Sequence, residues 1–173
     1  MKLEGKVIAI LVAEGVEDLE YYVPMMRLQE EGAKVLTAGL DLKPVHGKNG
    51  LVIQPDSKIE DLESGELFGL IIPGGWAPDK LRRHDTVKKL VREMDSISRI
   101  IGIICHGGLI AISAGIVQKG QRSVGSLGIK DDLVNAGAVW VDDAAFRERN
   151  QVWGRVVADI PDFCRELVKA LAE

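Results

Sequence analysis

Histidine is scarce in this 173-residue chain: His46, His84 and His106 are the full set, and none follows position 106. A Cys…His arrangement with its base late in the chain, as in class I glutamine amidotransferases, is thereby excluded. Cysteine is scarcer still, with Cys105 and Cys164 far apart, so neither a disulfide framework nor a paired CxxC site is expected. There is no GxGxxG, no Walker loop and no GxSxG, so a dinucleotide, nucleoside triphosphate or structural zinc site has no support. No apolar run approaches the ~18 residues a membrane-spanning helix needs. A formal charge of −4 lacks the basic face that nonspecific nucleic-acid binding wants. The locally basic "DKLRRHDTVKKLVRE" (79–93) is interleaved with acids and reads as a solvated helix face. The opening "MKLEGKVIAILVAEG" reads as a first strand, not a signal peptide, and the two thiols suit a reducing cytoplasm.

What is present alternates between strand-like and helix-like segments. "KVIAILVA" (6–13) is a continuous apolar run of the kind found in strands buried on both faces. Leu19, Tyr22, Val23 and Met26 recur at helical spacing and predict a helix stopped by Gly32, with Pro24 kinking it or lying in its first turn. "KVLTAG" (34–39) predicts a strand, and the turn-rich "PVHGKNGLVIQP" (44–55) a hairpin. "GLIIPGG" (69–75) is a short buried strand ending in glycines. Asp85 caps a helix whose Val87, Leu90, Val91 and Met94 share a face. "RIIGIIC" (99–105) is the next strand, followed by a small-residue helix, "GGLIAISAG". A short helix over 129–137 and a hairpin over 146–155 around Asn150 come next. The closing helix carries Ile160, Phe163, Cys164, Leu167, Val168 and Leu171 on one stripe, which makes Cys164 a core residue. Repeated strand–helix units of this kind imply one α/β domain over 1–173. Its sheet is expected to be parallel and covered on both faces, with reactive groups at the carboxyl ends of strands. Three such ends qualify: "AEGVED", "PGGWAPD" and "CHGG".

Cys105 closes a buried strand and opens a helix, where unpaired N–H groups favour thiolate, so a pKa below the ~8.5 of a free thiol is expected. Gly107 spares the turn a crowding side chain, although Ile103 is not the small residue such an elbow usually has two places earlier. A strand-end Cys alone also fits core packing; the adjoining "HGG" points to a nucleophile. Its base is harder to find. Side chains of neighbours on a tight turn diverge, which weakens His106, while His46 and His84 read as solvated. Glu14 and Glu17 follow the first strand. Either they only favour the helix N-terminus, or one stands beside the thiol, protonated by burial and donating to the thiolate. "PGGWAPD" offers two N–H groups to an oxyanion, or only a tight turn.

Together, "EGVEDLEYYVPMMRLQEEGAKV", "GLIIPGGWAPDKLR", "IICHGGLIAISAGIV" and "GIKDDLVNAGAVWVD" resemble the PfpI/ThiJ superfamily of intracellular cysteine proteases and parkinsonism-linked deglycases, in the same motif order from about residue 6 onward. The resemblance implies a flavodoxin-like three-layer α/β sandwich with a mostly parallel central sheet and a nucleophile elbow. It makes Cys105 the nucleophile, Glu17 the carboxyl that hydrogen-bonds it, and Gly75 and His106 the backbone oxyanion donors. It also makes Asp79, in place of the acid of "GGxAPE", the group that reaches His106 of a neighbouring subunit. Two departures stand out: Asp79 is one methylene short, and Gly108 replaces the Pro of the protease-like "CHGP". The implied activity is peptidase, deglycase or glyoxalase chemistry on small carbonyl compounds or peptides, through a Cys105 thiohemiacetal or acyl intermediate, in stress protection. The competing reading is a redox sensor or chaperone-like protein in which Cys105 oxidises. Neither needs a cofactor or metal; a cytoplasmic dimer or higher homo-oligomer is expected, with no nucleic-acid or membrane partner.

Overall fold

The computed structural model describes residues 1–173. The elements run β1 (Val7–Leu11), α1 (Asp18–Glu30), β2 (Lys34–Gly39), a small hairpin of β3 (Val45–His46) and β4 (Val52–Ile53), and β5 (Ser57–Lys58). Next come β6 (Gly69–Ile72), α2 (Ala77–Leu81), α3 (Asp85–Ser96), β7 (Ile100–Ile104) and α4 (Gly108–Ala114). The chain closes with β8 (Arg122–Ser123), α5 (Lys130–Asn135), β9 (Val139–Trp140), β10 (Ala145–Glu148), β11 (Gln151–Gly154) and α6 (Ile160–Ala172). Every residue of β6 and β7 is buried, as unbroken apolar runs require when helices cover both sides of a sheet.

The central sheet has seven strands in the order β10-β11-β7-β6-β1-β2-β5. All its neighbours are parallel except the β10–β11 hairpin at the edge. The chain winds outward from β1 in one direction through β2 and in the other through β6 and β7. The crevice at such a switch point lies beyond the carboxyl ends of β1, β6 and β7, which is where the three candidate segments fall. The expected flavodoxin-like α/β architecture with a mostly parallel sheet is the one observed.

α1 and α6 pack on each other over one side of the sheet, while α3 and α4 pack together on the other. The α6 side is floored with glycine. A Cβ on Gly69 of β6 would lie 2.8 Å from Leu171, one on Gly102 of β7 3.0 Å from both Phe163 and Leu167, and one on Gly154 of β11 2.8 Å from Phe163. Three adjacent strands thus omit side chains where α6 inserts its own, and Phe163 and Leu167 are fully buried.

α1 departs from the expected packing. Leu19, Val23 and Met26 face outward, at 47, 38 and 58% exposure, while Glu17, Glu20, Tyr21, Pro24 and Leu28 face inward. The inward stripe holds two acids, and the apolar residues on the outer side have no partner within the chain. No helix is long and apolar enough to cross a membrane.

Candidate active site

β7 ends at Ile104 in extended conformation, and Cys105 then turns with φ +57°. Non-glycine residues seldom occupy this left-handed region, and the strain persists only where surrounding structure enforces it. Here two glycines make the turn possible. The carbonyl of Ile72 occupies the space a Cβ on Gly107 would need. A Cβ on Gly74 would stand 2.6 Å from Glu20 Oε2 and 2.9 Å from both Cys105 Cβ and the His106 nitrogen. Only a bare backbone lets the ends of β6 and β7 meet the first turn of α1.

The turn brings four groups to the Cys105 sulfur. The backbone N–H groups of His106 and Gly75 lie near it and favour its charged form, Gly75 being held at φ +74° by its bridge to Val16. His106 Nδ1 lies 3.4 Å from Sγ, so the adjacent ring does reach the sulfur on this turn. The fourth group is a carboxyl, and it belongs to Glu20. Glu20 Oε2 accepts the Gly74 N–H at 2.6 Å, while Oε1 is buried and makes no hydrogen bond. A proton on this carboxyl therefore sits on Oε1, since Oε2 is already an acceptor.

Electrostatics tie the two groups together. Burial pushes the Glu20 carboxyl up to about 7, against the opposing pull of the Gly74 N–H, the sulfur contact and Lys48. Burial and the facing Glu20 carboxylate push the Cys105 thiol up to about 12, outweighing the His106 and Gly75 N–H groups. The sequence expectation of a depressed thiol pKa is thus reversed, because the sulfur is desolvated and faces an acid. Between the two values the pair holds one proton and one negative charge, and a thiolate exists there only with the proton on Glu20. Burial, then the charge of Lys48, lowers the His106 pKa, leaving a neutral ring at pH 7.

Glu17, expected at the sulfur, is elsewhere. Its Oε1 accepts from Asn49 Nδ2 at 2.8 Å, and its Oε2 faces Lys48 Nζ at 3.6 Å. It precedes α1 at the cavity wall, whereas Glu20 lies one turn deeper beneath the end of β6. Asp79 lines the same cavity as His106 but is paired with Arg83 of its own chain. The backbones of Gly75 and His106 both lie beside the Cys105 sulfur. His46 is exposed beside Glu14, and His84 is also exposed. Cys164 is buried in α6, its thiol pushed up to about 11 by burial despite the Arg27 charge. A Cβ on Gly108 would lie 2.8 Å from Ile129 Cδ1, so the residue just before α5 takes up the space beside Gly108. A cavity of about 680 Å³ opens over these groups, with Lys48 and Trp76 at its wall. No group of three or more His, Cys, Asp or Glu is placed to hold a metal ion. Sequence reasoning missed Glu20, Asp18, Lys48 and Asn49; the signal for the first was its position on the stripe 17, 20, 21, 24, 28.

Comparison with known proteins finds relatives along almost the whole chain. The sequence model of the DJ-1/PfpI family matches residues 6–170. A Pyrococcus abyssi protein named a deglycase is 38% identical over 164 residues, 95% of this chain and 98% of its own. A Bacillus subtilis protein provisionally named a cysteine protease is 34% identical, over 96% of this chain and 99% of its own. Among solved structures, a two-domain Anabaena variabilis protein with DJ-1/ThiJ/PfpI-like and ferritin-like domains superposes with a TM-score of 0.93 at 30% identity. The match covers 96% of this chain and 48% of that one, so the chain spans about half the length of that relative.

Proposed function

Since the chain belongs to the DJ-1/PfpI family, we propose that it is a cysteine-dependent hydrolase or lyase acting on small carbonyl adducts or peptides, with Cys105 as nucleophile. The observation that carries the reading is the strained Cys105 turn, which holds the sulfur against two backbone N–H donors and a buried carboxyl. With the proton on Glu20, the thiolate adds to the carbonyl carbon and an S–C bond forms. The π pair moves to oxygen, which the Gly75 and His106 N–H groups hold, and Glu20 transfers its proton there to give a thiohemiacetal. A peptide carbonyl attacked in the same way gives a tetrahedral adduct; as its C=O re-forms, the C–N bond breaks and the amine leaves with the proton that Glu20 supplies, giving an S-acyl intermediate. Neutral His106, 3.4 Å from the sulfur, is the base for the later proton transfer. Relatives named as a deglycase and as a cysteine protease support this class of chemistry.

The test is turnover of methylglyoxal and of a fluorogenic peptide, measured before and after mild peroxide. Turnover lost on oxidation of Cys105 is expected. Absence of turnover of either compound by the reduced protein would favour a redox role in stress protection, with Cys105 as the oxidised group.

The same reading extends to a cytoplasmic homo-oligomer in which Asp79 orients His106 of a neighbour. The outward apolar stripe of α1, with Leu51 and Val52 also exposed, supports self-association. Asp79→Ala is expected to lower kcat about ten-fold through loss of His106 orientation. Mixed with inactive Cys105→Ala chains, it should restore full-rate turnover at about a quarter of dimer sites under random pairing. An unchanged kcat in Asp79→Ala would remove the shared site.

A further inference from the structure

The hairpin turn between β3 and β4 is built with more care than an exposed turn requires. Residues 47 to 51 wrap around the carboxylate of Asp18, which is 2% exposed. Asp18 Oδ2 accepts the Asn49 N–H at 2.7 Å, and Oδ1 accepts the Leu51 N–H at 2.9 Å. A Cβ on Gly47 would stand inside the Asp18 carboxylate, so the turn can close around the acid only with glycine there. Lys48 N–H donates to the Val16 carbonyl at 2.8 Å, Gly50 N–H to the Gly47 carbonyl at 2.9 Å, and Asn49 Nδ2 to Glu17 at 2.8 Å. Burial works to raise the Asp18 pKa, but the bonds from Asn49 and Leu51 outweigh it and the pKa is lowered. The anchor is therefore ionised at neutral pH, and is lost only as pH falls through a value below the ordinary ~4 of an aspartate.

What this frame presents to the cavity is Lys48. Its ammonium lies 3.6 Å from Glu17 Oε2 and 5.9 Å from the centre of the Trp76 ring. Direct charge-assisted bonds run at about 2.7–2.9 Å, so Glu17 holds the ammonium loosely and leaves its three donors largely unspent. Lys48 also acts on the reacting groups, since its charge helps to lower the His106 pKa and opposes the effect of burial at Glu20. The cavity's other lysine, Lys80, has its ammonium on the Glu14 carbonyl at 3.1 Å.

We propose that Lys48, fixed by the Asp18-anchored turn, is a substrate-binding residue that selects carbonyl compounds carrying a carboxylate. Asp18 is then a positioning residue, and Glu17 holds the ammonium in place until the substrate anion arrives. This inference rests on Cys105 being the reacting group and names the substrate class that its cavity favours.

Iodoacetate and iodoacetamide form the test pair, since both alkylate sulfur with loss of iodide and differ in one negative charge. Their rates at Cys105, followed by peptide mass mapping of the folded protein at low salt, give a ratio that cancels changes in thiolate content. Lys48→Met should lower the iodoacetate-to-iodoacetamide ratio about ten-fold, while Lys48→Arg keeps it within about two-fold because the charge remains. Asp18→Asn should lower the ratio about three-fold, because it loosens the frame without removing the cation. Lys2→Met, remote from the cavity, should leave it unchanged. A ratio in Lys48→Met within two-fold of wild type, or an Arg variant that falls as far as Met, overturns the proposal. The wild type should likewise prefer glyoxylate to neutral methylglyoxal more strongly than Lys48→Met does. If neither compound is turned over, the proposed function fails, while the alkylation ratio still decides the role of Lys48.

Discussion

Replacing Cys105 with Ser should lower turnover of any carbonyl or peptide substrate by about a thousand-fold or more. The size follows from the chemistry of the replacement. A serine hydroxyl needs a base able to take its proton during attack, and the proton balance here is instead built on an acid, Glu20, facing the sulfur. The ring of His106 sits beside the sulfur without an acid partner within the chain, so it is a weak base for so demanding a task. The substitution should leave the fold intact, because Cys105 is only half-buried and the φ of +57° is imposed by the glycines around it. Urea denaturation should place the variant within about 1 kcal/mol of wild type. A Ser variant that kept a tenth of the wild-type turnover would remove Cys105 from the mechanism.

The second large effect concerns Glu20. In wild type, alkylation of Cys105 by iodoacetamide should rise as the pair loses its first proton near pH 7, well below the value of about 12 that the thiol takes opposite an ionised Glu20. Glu20→Gln removes the group that carries the shared proton. The thiol then titrates alone in a desolvated site, above the ~8.5 of a free thiol. The pH step should move upward by at least about one unit, and above it the alkylation rate should exceed that of wild type, because the carboxylate that opposes a second negative charge is gone. Glu17→Gln should change the rate less than about two-fold, since it touches Asn49 and Lys48 instead. Superimposable profiles for wild type and Glu20→Gln, or a larger effect at Glu17, would reverse this assignment.

The strands were readable because each buried one is a run of apolar residues closed by glycines or Cys, and the closing helix because its stripe has few competing signals. α1 was harder. Its apolar residues Leu19, Val23 and Met26 form a helical face by spacing, yet a carboxylate cluster took the inside. Burial of Asp18 is stabilised by hydrogen bonds from residues more than thirty positions away, and no local pattern encodes such partners. The same cause hid the right carboxyl. "VED" places an acid near the end of β1, but whether residue 17 or 20 meets the sulfur depends on how deep α1 enters beneath β6, which is set by Gly74 in another segment. Cys105 and the N–H groups of Gly75 and His106 were legible because each lies where a strand stops. Lys48 was not, because a lysine in a glycine-rich turn looks like any solvated turn residue until the frame beneath it is seen.

The glycine floor under α6 also bears on how the protein is made. Synthesis proceeds from the amino end, and segments begin to collapse as they emerge. β1, β2, β6 and β7 can pair once residue 104 is available, but the strand that covers the far edge of β7 spans 151–154 and the helix that fills the floor spans 160–172. For that stretch of translation the half-built sheet leaves Gly69 and Gly102 bare beside the open edge of β7, a surface with little side-chain cover and unpaired backbone. Any neighbouring chain with a free strand can add to it. That face and that edge stay open to other chains until Phe163 and Leu167 arrive to cover them.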